Sequence, residues 1–435
     1  MAAHIPTDTG TGARPDRVTA YAWIVFALSF GLLISDYMAR QVLNAVFPLL
    51  KAQWSLSDSQ LGLLSGVVAI MVGLLTFPLS LAADRWGRVR SLALMAILWS
   101  LATLLCAVAE SFETMLIGRA LVGVGEAAYG SVGIAVVISV FPARLRATLS
   151  AAFMAGGLFG QVLGVAIGGA IAAEHGWRMA FGAIGVAGLV MGVLYPVLVR
   201  ESRIRALAGA GAGGRQGGAA VVPPLRELVG NRSVRLAYVA SGLQLFAAGA
   251  LPAWLPSYFN RYYDLAVDQA GSLTAVLLLT CGTGMILCGS FSDRMARDRP
   301  ELKITLAMSY AIGSALCLTA AMLLPPGTAQ LILLGAAMFL VAGTVGPVGA
   351  MVANLTPLAI HGSAFATLTL ANNLIGLAPG PILTGRIADA IGLAEAFRLL
   401  PIPCLLAAVT YAAMRRSYLV DLAARAAVPV NPRSA

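Results

Sequence analysis

Long apolar stretches alternate along this chain with short polar segments that are rich in arginine. Residues 61–83 and 91–109 carry no charged side chain, and the charged segment between them covers only residues 84–90. An α-helix needs about 20 apolar residues to cross a bilayer. The stretches lack the period-two alternation of barrel strands. This pattern predicts a bundle of membrane-spanning α-helices.

Twelve such helices are predicted, six on each side of a polar break. The break at residues 200–235 holds seven arginines and a glycine- and alanine-rich run at 208–214, which is typical of a flexible linker. The first six predicted helices cover about 20–48, 60–82, 90–109, 113–139, 148–172 and 177–199. The other six cover about 236–259, 269–291, 302–324, 329–354, 362–388 and 393–414. We therefore predict an all-α membrane protein with two six-helix bundles, at 20–199 and 236–414. Polar tails are predicted at 1–19 and 415–435.

Composition excludes most other classes of protein. Hydrophobic residues make up 59% of the chain and charged residues only 11%, whereas a soluble domain is roughly 25% charged. The net charge of +10 does not indicate nucleic-acid binding, because the basic residues lie in loops between the predicted helices. No histidine or cysteine spacing resembles a metal site. We find no Walker sequence for ATP, no cofactor motif and no nucleophile–base arrangement, so we predict neither an enzyme nor a catalytic site.

Arginine and lysine positions predict the orientation of the chain. Most basic loops, the linker and both tails fall on one side, which the positive-inside rule assigns to the cytoplasm. Lys51 and Lys303 are the only lysines, and alanine is abundant, which suits a bacterial source with GC-rich DNA. We expect a monomer in the cytoplasmic membrane of a bacterium.

The two bundles carry traces of a duplication. Asp84, Arg85 and Arg88 return in the second bundle, all at one offset, as a second copy of the same charged turn. The second copy consists of Asp293, Arg294 and Arg297. Residues 160–181 also align without a gap with residues 376–397, and we call this alignment the aligned repeat. Parallel repeats of six helices are a transporter architecture.

The first charged turn resembles the signature Gly-x-x-x-Asp-Arg-x-Gly-Arg of the major facilitator superfamily. Here it reads from Ser80 to Arg88, with Ser80 in place of the leading glycine, and the second copy keeps Gly289 but has Ala296 for the later glycine. The resemblance covers essentially the whole chain. It implies alternating access, and it implies a gating role for the six charged residues of the two turns. The alternative is a plain positive-inside loop, which explains the arginines but not the repeated aspartate.

A narrower resemblance is to the spinster-type and related anion-symporter branches. It rests on residues 37–43, 56–64 and 119–127. Those branches have an aspartate where this chain has Ala39, and Asp36 lies one turn earlier on nearly the same face. The fifth helix has Gly164-Val165 where the drug-antiporter signature has Gly-Pro, which makes a drug exporter less favoured.

Four charged side chains are predicted to lie deep in the membrane: Asp36 and Arg40 in helix 1, and Arg119 and Glu126 in helix 4. Buried charges are costly and mark functional sites. At about 1.5 Å per residue, Arg40 and Arg119 should share one depth and the two acids should lie nearer the midplane. The group is neutral overall, so a purely structural ion-pair network between the two helices is one reading.

The other reading is a proton site beside an anion site. Glu126, with Asp36, would bind the coupling proton, and Arg40 and Arg119 would grip an anion, because guanidinium groups bind carboxylate or phosphate with two hydrogen bonds. Burial favours a protonated carboxyl group and a neighbouring arginine favours an ionised one. An anion on the arginine would therefore favour protonation of the acid. In this reading the partners are a small-molecule substrate, protons and the lipid bilayer.

The second bundle has no deep charge. Its polar candidates for substrate contact are Gln244, Asn372 and Asn373, and the first bundle adds Tyr37 and Tyr129. The asparagines could instead link helices. A cavity that is charged on one side and apolar on the other suits an organic anion or an anionic amphiphile. We predict a proton-coupled secondary transporter of such a compound; the alternative is a proton-driven exporter of drugs or lipids.

Overall fold

The computed structural model describes residues 19–204, 228–297, 299–357 and 360–426. Twelve of its helices are long and apolar enough to cross a membrane, and no strand occurs in the described ranges. The predicted all-α membrane fold is therefore confirmed. The first half consists of α1 (Ala20–Trp54), α2 (Asp58–Trp86), α3 (Arg88–Ala107), α4 (Phe112–Val140), α5 (Ala143–His175) and α6 (Trp177–Leu198). The second half consists of α7 (Arg232–Tyr262), α8 (Val267–Met295), α9 (Leu302–Leu323), α10 (Thr328–Leu355), α11 (His361–Ile391) and α12, in two segments, Leu393–Arg398 and Pro401–Ala426.

The predicted helix limits differ from the observed ones mainly at polar ends. Helix α1 continues to Trp54, and α12 continues to Ala426 into the predicted C-terminal tail. Apolar stretches mark only the part of a helix that lies in the bilayer, whereas a helix can extend into water. The predicted N-terminal tail lies almost wholly outside the described residues, as do most of the linker and the end of the C-terminal tail.

The start of α1 and the end of α12 lie on one face of the bundle, because twelve crossings separate them. We call it the terminal face and the opposite one the distal face. Helix α2 begins at the distal face with a capping box, in which the Ser57 side chain accepts a hydrogen bond from the Gln60 N–H and the Gln60 side chain bonds back to Ser57. This arrangement fixes where α2 starts.

Single glycines join several helices. Gly176 joins α5 to α6 and Gly392 joins α11 to α12, with φ of 83° and 93°. Other residues rarely adopt this φ. The two glycines are matched with each other in the aligned repeat. Gly87, with φ of 97°, joins α2 directly to α3. The second copy has Ala296 with φ of −95° at this position, and the next helix, α9, starts only at Leu302.

The duplication extends to irregular points inside two helices. Helix α4 is interrupted at Ala127–Ala128, between segments Phe112–Glu126 and Tyr129–Val140. Helix α10 is interrupted at Gly343–Thr344, between Thr328–Ala342 and Val345–Leu355. The two breaks keep the same offset as the aligned repeat. The two halves therefore share backbone irregularities as well as helix order.

Glycines bring helices close within each half. A Cβ added at Gly160 of α5 would lie 2.6 Å from the Ile34 carbonyl oxygen of α1, and one at Gly376 of α11 would lie 2.3 Å from the Gly242 carbonyl oxygen of α7. Only glycine allows this approach without movement. The halves themselves meet through α2 with α11, α5 with α8 and α1 with α7. A cavity remains between them near the middle of α1.

Candidate functional site

The central cavity has a volume of about 190 Å³ and is lined from both halves. The first half contributes polar side chains: Tyr37, Arg40, Gln41, Asn44, Ser65 and Gln161. The second half contributes Ala248, Gly249, Pro252, Leu377 and Pro381. The wall is thus polar on one side and apolar on the other, in line with the uneven distribution of deep charges between the two halves of the sequence. Arg40 is the cationic residue among these lining side chains.

Arg40 stands between the cavity and a buried acid. Its side chain is 21% exposed, and its Nη1 lies 3.8 Å from Oε2 of Glu126, whose side chain is only 5% exposed. The contact is long for an ion pair. The guanidinium group therefore retains donors that can face a ligand.

Two acids lie side by side behind Arg40. The carboxyl groups of Asp36 and Glu126 are within hydrogen-bonding reach of each other, and both residues are buried. Asp36 precedes Arg40 by one turn of α1, and Glu126 is the last residue before the break in α4. Asp36 Oδ1 and Glu126 Oε1 have no hydrogen-bond partner among the described residues. The break thus places a buried carboxyl group next to Arg40, which itself lines the cavity.

Arg119 lies away from the cavity lining. It is fully buried, and its guanidinium group donates to the main-chain carbonyls of Ala39 at 2.8 Å, Arg40 at 3.0 Å and, more weakly, Leu64 at 3.4 Å. These contacts agree with the shared depth expected for Arg40 and Arg119. They tie α4 to α1 and α2, so three of this arginine's donors are directed at backbone, and its side chain does not line the cavity.

An amide network that the sequence analysis missed lines the cavity. Asn44 Nδ2 donates to Gln41 Oε1 at 2.6 Å, and Gln41 Nε2 donates to Gln161 Oε1 at 3.2 Å. The sequence did hold a signal, since Gln41 and Asn44 follow Arg40 within an apolar helix. Gln161 on α5 was not predicted, because the glycines around it indicated helix packing and not a binding site.

Several other candidates lie outside the cavity lining. Tyr129 donates to the Ser29 carbonyl at 2.8 Å, and Gln244 donates to Ser314 at 3.0 Å within the second half. Both side chains are fully buried in helix contacts. Tyr37, in contrast, is part of the lining.

Asn372 and Asn373 begin a π-helical turn, Asn372–Leu377, inside α11. Asn373 Nδ2 donates to the Thr369 carbonyl at 2.9 Å, and the Oδ1 atoms of both asparagines lack partners among the described residues. Neither residue lines the cavity, but Leu377 at the end of the turn does. Such turns are frequent at functional sites. Here the turn shapes the apolar wall.

The charged turns lie at the terminal face. Asp293 pairs with Lys303 at 3.0 Å, within its own half, and its side chain is 70% exposed. Four arginines of the turns are exposed, namely Arg85, Arg88, Arg294 and Arg297. Asp84 lies near the end of α2, and its side chain is outside the described part of the structure. A gating role for these residues remains a prediction.

The chain is similar to a known protein family and to several individual transporters. A model of the Major Facilitator Superfamily matches residues 29–374. The sphingosine-1-phosphate transporter SPNS2 of Danio rerio is 28% identical over 66% of this chain, and the match spans 60% of that protein. The probable L-galactonate transporter of Escherichia coli is 25% identical over 92% of this chain and 89% of its own length. The hexuronate transporter of Bacillus subtilis is 24% identical over 85% and 88%.

Solved structures share the fold. A bacterial homologue of the human lysosomal transporter spinster, in an inward-facing and occupied conformation, superposes with a TM-score of 0.79 at 21% identity, over 93% of this chain and 98% of the other. The D-xylose–proton symporter superposes with a TM-score of 0.69 at 19% identity, over 90% and 97%. At these identities the likeness concerns the fold alone.

Proposed function

The chain belongs to the major facilitator superfamily and is a membrane transporter, and we propose that it moves a small organic anion together with protons. We place it in the cytoplasmic membrane of a bacterium, with the terminal face toward the cytoplasm, because that face carries most of the basic loops. The observation that carries the substrate proposal is Arg40 at the wall of a small, otherwise uncharged cavity.

The cavity fits a compact carboxylate. A guanidinium group can bind a carboxylate through two hydrogen bonds, and the neighbouring amides of Gln41, Asn44 and Gln161 can bond to further polar atoms of the ligand. The apolar wall from the second half would cover the remaining surface. Relatives named as a probable L-galactonate transporter and a hexuronate transporter support an acidic substrate.

The acid pair supports proton coupling. An ionised carboxylate only accepts hydrogen bonds, so a hydrogen bond between Asp36 and Glu126 requires one proton between them. Arg40 is the cation beside Glu126. An anion that binds Arg40 offsets its charge, and a proton on the acid pair then becomes more favourable. Substrate and proton would thus bind together, as a symporter requires.

A phosphorylated amphiphile is the second candidate, because one relative is named as a sphingosine-1-phosphate transporter. Arg40 could bind its phosphate, and export of lipids would then be the function. The volume of the cavity favours the smaller substrate.

A ligand-stabilisation screen of the purified protein tests the substrate. The panels are carboxylates, sulfonates, phosphorylated amphiphiles and cationic drugs. A ligand at 100 times its dissociation constant adds about 2.7 kcal/mol to the stability of the folded state. We expect a carboxylate to raise the melting temperature of the wild type but not of Arg40→Gln. Arg90→Gln, which removes an exposed arginine of the terminal face, is the matched control and should keep the response. A response confined to cationic drugs would contradict the proposal.

A further inference from the structure

An ion-pair group joins the two halves at the distal face. Asp58, the first residue of α2, accepts two hydrogen bonds from Arg261 in the last turn of α7, at 2.6 and 2.7 Å. Lys51 of α1 adds a third contact at 2.5 Å. The Asp58 side chain is only 4% exposed. Charge-assisted pairs of this bidentate kind are among the stronger hydrogen bonds in proteins.

A second carboxylate also makes hydrogen bonds between the two halves. Asp389, near the end of α11, accepts hydrogen bonds from the N–H groups of Asp58 at 2.7 Å and Ser59 at 2.8 Å, and from the Ser59 hydroxyl at 2.5 Å. A carboxylate at a helix N-terminus also interacts favourably with the helix dipole. Asp389 therefore caps a helix that belongs to the other half.

The first turn of α2 depends on both halves for its hydrogen bonds. The first four N–H groups of a helix have no partner within it. In α2, Ser57 satisfies the third and fourth, those of Gln60 and Leu61. The first and second donate to Asp389. These two donors keep their partner only while the halves stay together at the distal face.

The two halves meet on two flanks, the contact of α2 with α11 and the contact of α5 with α8. The α5–α8 flank has the same packing but lacks the carboxylate. A Cβ at Gly385 of α11 would lie 2.3 Å from the Asp58 carbonyl oxygen, and one at Gly169 of α5 would lie 3.1 Å from the Val267 carbonyl oxygen at the start of α8. These glycines are matched in the aligned repeat, so the flanks are equivalent. The residue at the equivalent position to Asp389 is Ala173, and α8 starts with no side-chain cap. Close packing of the helix ends therefore does not require Asp389.

We propose that Asp389, together with the Asp58–Arg261 pair, is a latch that holds the distal face closed and sets the share of molecules in that state. Opening the face separates Asp389 from two N–H groups and Arg261 from Asp58, all at once. The charged turns are predicted gating residues at the terminal face; the latch adds a gate at the other face. It does not depend on the identity of the substrate or on proton coupling.

Hydrogen–deuterium exchange of the full chain in lipid nanodiscs tests the latch. In Asp389→Asn we expect exchange at the start of α2 to become about tenfold faster, since hydrogen bonds to charged groups are the strong ones. The start of α8, on the flank without the carboxylate, should also exchange faster, because the whole face opens. Glu174→Gln removes a 79% exposed carboxylate from the same face and should change neither segment.

Two results would overturn the proposal. Faster exchange only at the start of α2 would show a local cap that does not control the face. Unchanged exchange in both segments would show that the contact is not maintained in a bilayer. Arg261→Gln, which removes the second half's other contact with Asp58, should reproduce the effect on both segments and so covers the case in which Asp389→Asn fails to fold. No ligand or transport is involved, so failure here is distinguishable from failure of the proposed function.

Discussion

The breaks in α4 and α10 occupy equivalent places in the two halves but carry different chemistry. The residue before the break is Glu126 in α4 and Ala342 in α10. The close glycine contacts and the links at Gly176 and Gly392 are likewise shared between the halves, while the charged side chains in and beside the cavity lie in the first half. At the distal face the difference is reversed, since Asp389 in the second half matches Ala173 in the first. The backbone of the repeat is thus kept, and the charges beside the cavity and the carboxylate of Asp389 are each confined to one copy.

This comparison separates the requirements of folding from those of transport. Breaks, links and close helix contacts are needed wherever two six-helix bundles must pack and move. A buried charge is costly in the membrane, so it persists only where it has a use. The following predictions test whether the one-sided charges have the uses proposed for them.

The largest effect is expected for Glu126→Gln. Glutamine keeps the size of the side chain but cannot take up and release the proton. In proteoliposomes, substrate accumulation driven by a pH gradient should be lost, whereas exchange of labelled for unlabelled substrate across the membrane should continue. Loss of both activities would point to a structural role, and retention of pH-driven accumulation would exclude Glu126 as the coupling site.

Arg119→Leu should lower stability strongly. The variant removes a buried cation that donates to the carbonyls of Ala39 and Arg40, and hydrogen bonds to charged groups contribute about 1.5–3 kcal/mol each. The melting temperature in detergent measures the loss. Gly335 is the equivalent residue in α10, where an added Cβ meets only ordinary contact at 3.5 Å, so Gly335→Ala should not lower it. Normal stability with lost ligand binding would instead make Arg119 a substrate residue.

A smaller effect is expected for Gln161→Leu. This amide lines the cavity, and the loss of one hydrogen bond of about 1 kcal/mol weakens binding about fivefold. Gln244→Leu is the matched control from the second half, because Gln244 is a buried amide that lies outside the lining. Titration of a ligand from the screen into both variants gives the ratio. Equal weakening in both would contradict the assignment of polar contacts to the first half.

The smallest effect is expected when a carboxylate is introduced on the α5–α8 flank, which lacks a counterpart of Asp389. Ala173→Asp places a carboxylate at the position equivalent to Asp389, near the uncapped start of α8. A charge–dipole interaction of about 0.3–1 kcal/mol should slow exchange at the start of α8 by about twofold to fivefold. Ala173→Asn, which lacks the charge, is the control. Faster exchange in the aspartate variant would show that the two flanks are not interchangeable.

The sequence by itself determined the class of the protein and the outline of its site. Stretches of apolar residues long enough for a bilayer leave helices as the main solution, because each backbone group must find a partner inside the membrane. The aligned repeat was visible in the chain, and its offset is matched by equivalent breaks and links in the structure. Asp36, Arg40 and Glu126 could be predicted as site residues because charged side chains are rare in apolar helices.

Only the tertiary structure decided which side chain bonds to which partner. Arg119 was selected with Arg40, yet its donors reach carbonyl groups, and a main-chain acceptor leaves no trace in a sequence. The hydrogen bond between Gln41 and Gln161 in the cavity joins residues 120 positions apart. The hydrogen bond between Asp389 and the start of α2 joins residues 331 positions apart. Hydrophobic pattern fixes which residues enter the membrane, whereas hydrogen bonds form within about 3 Å and depend on how separate helices are rotated and placed.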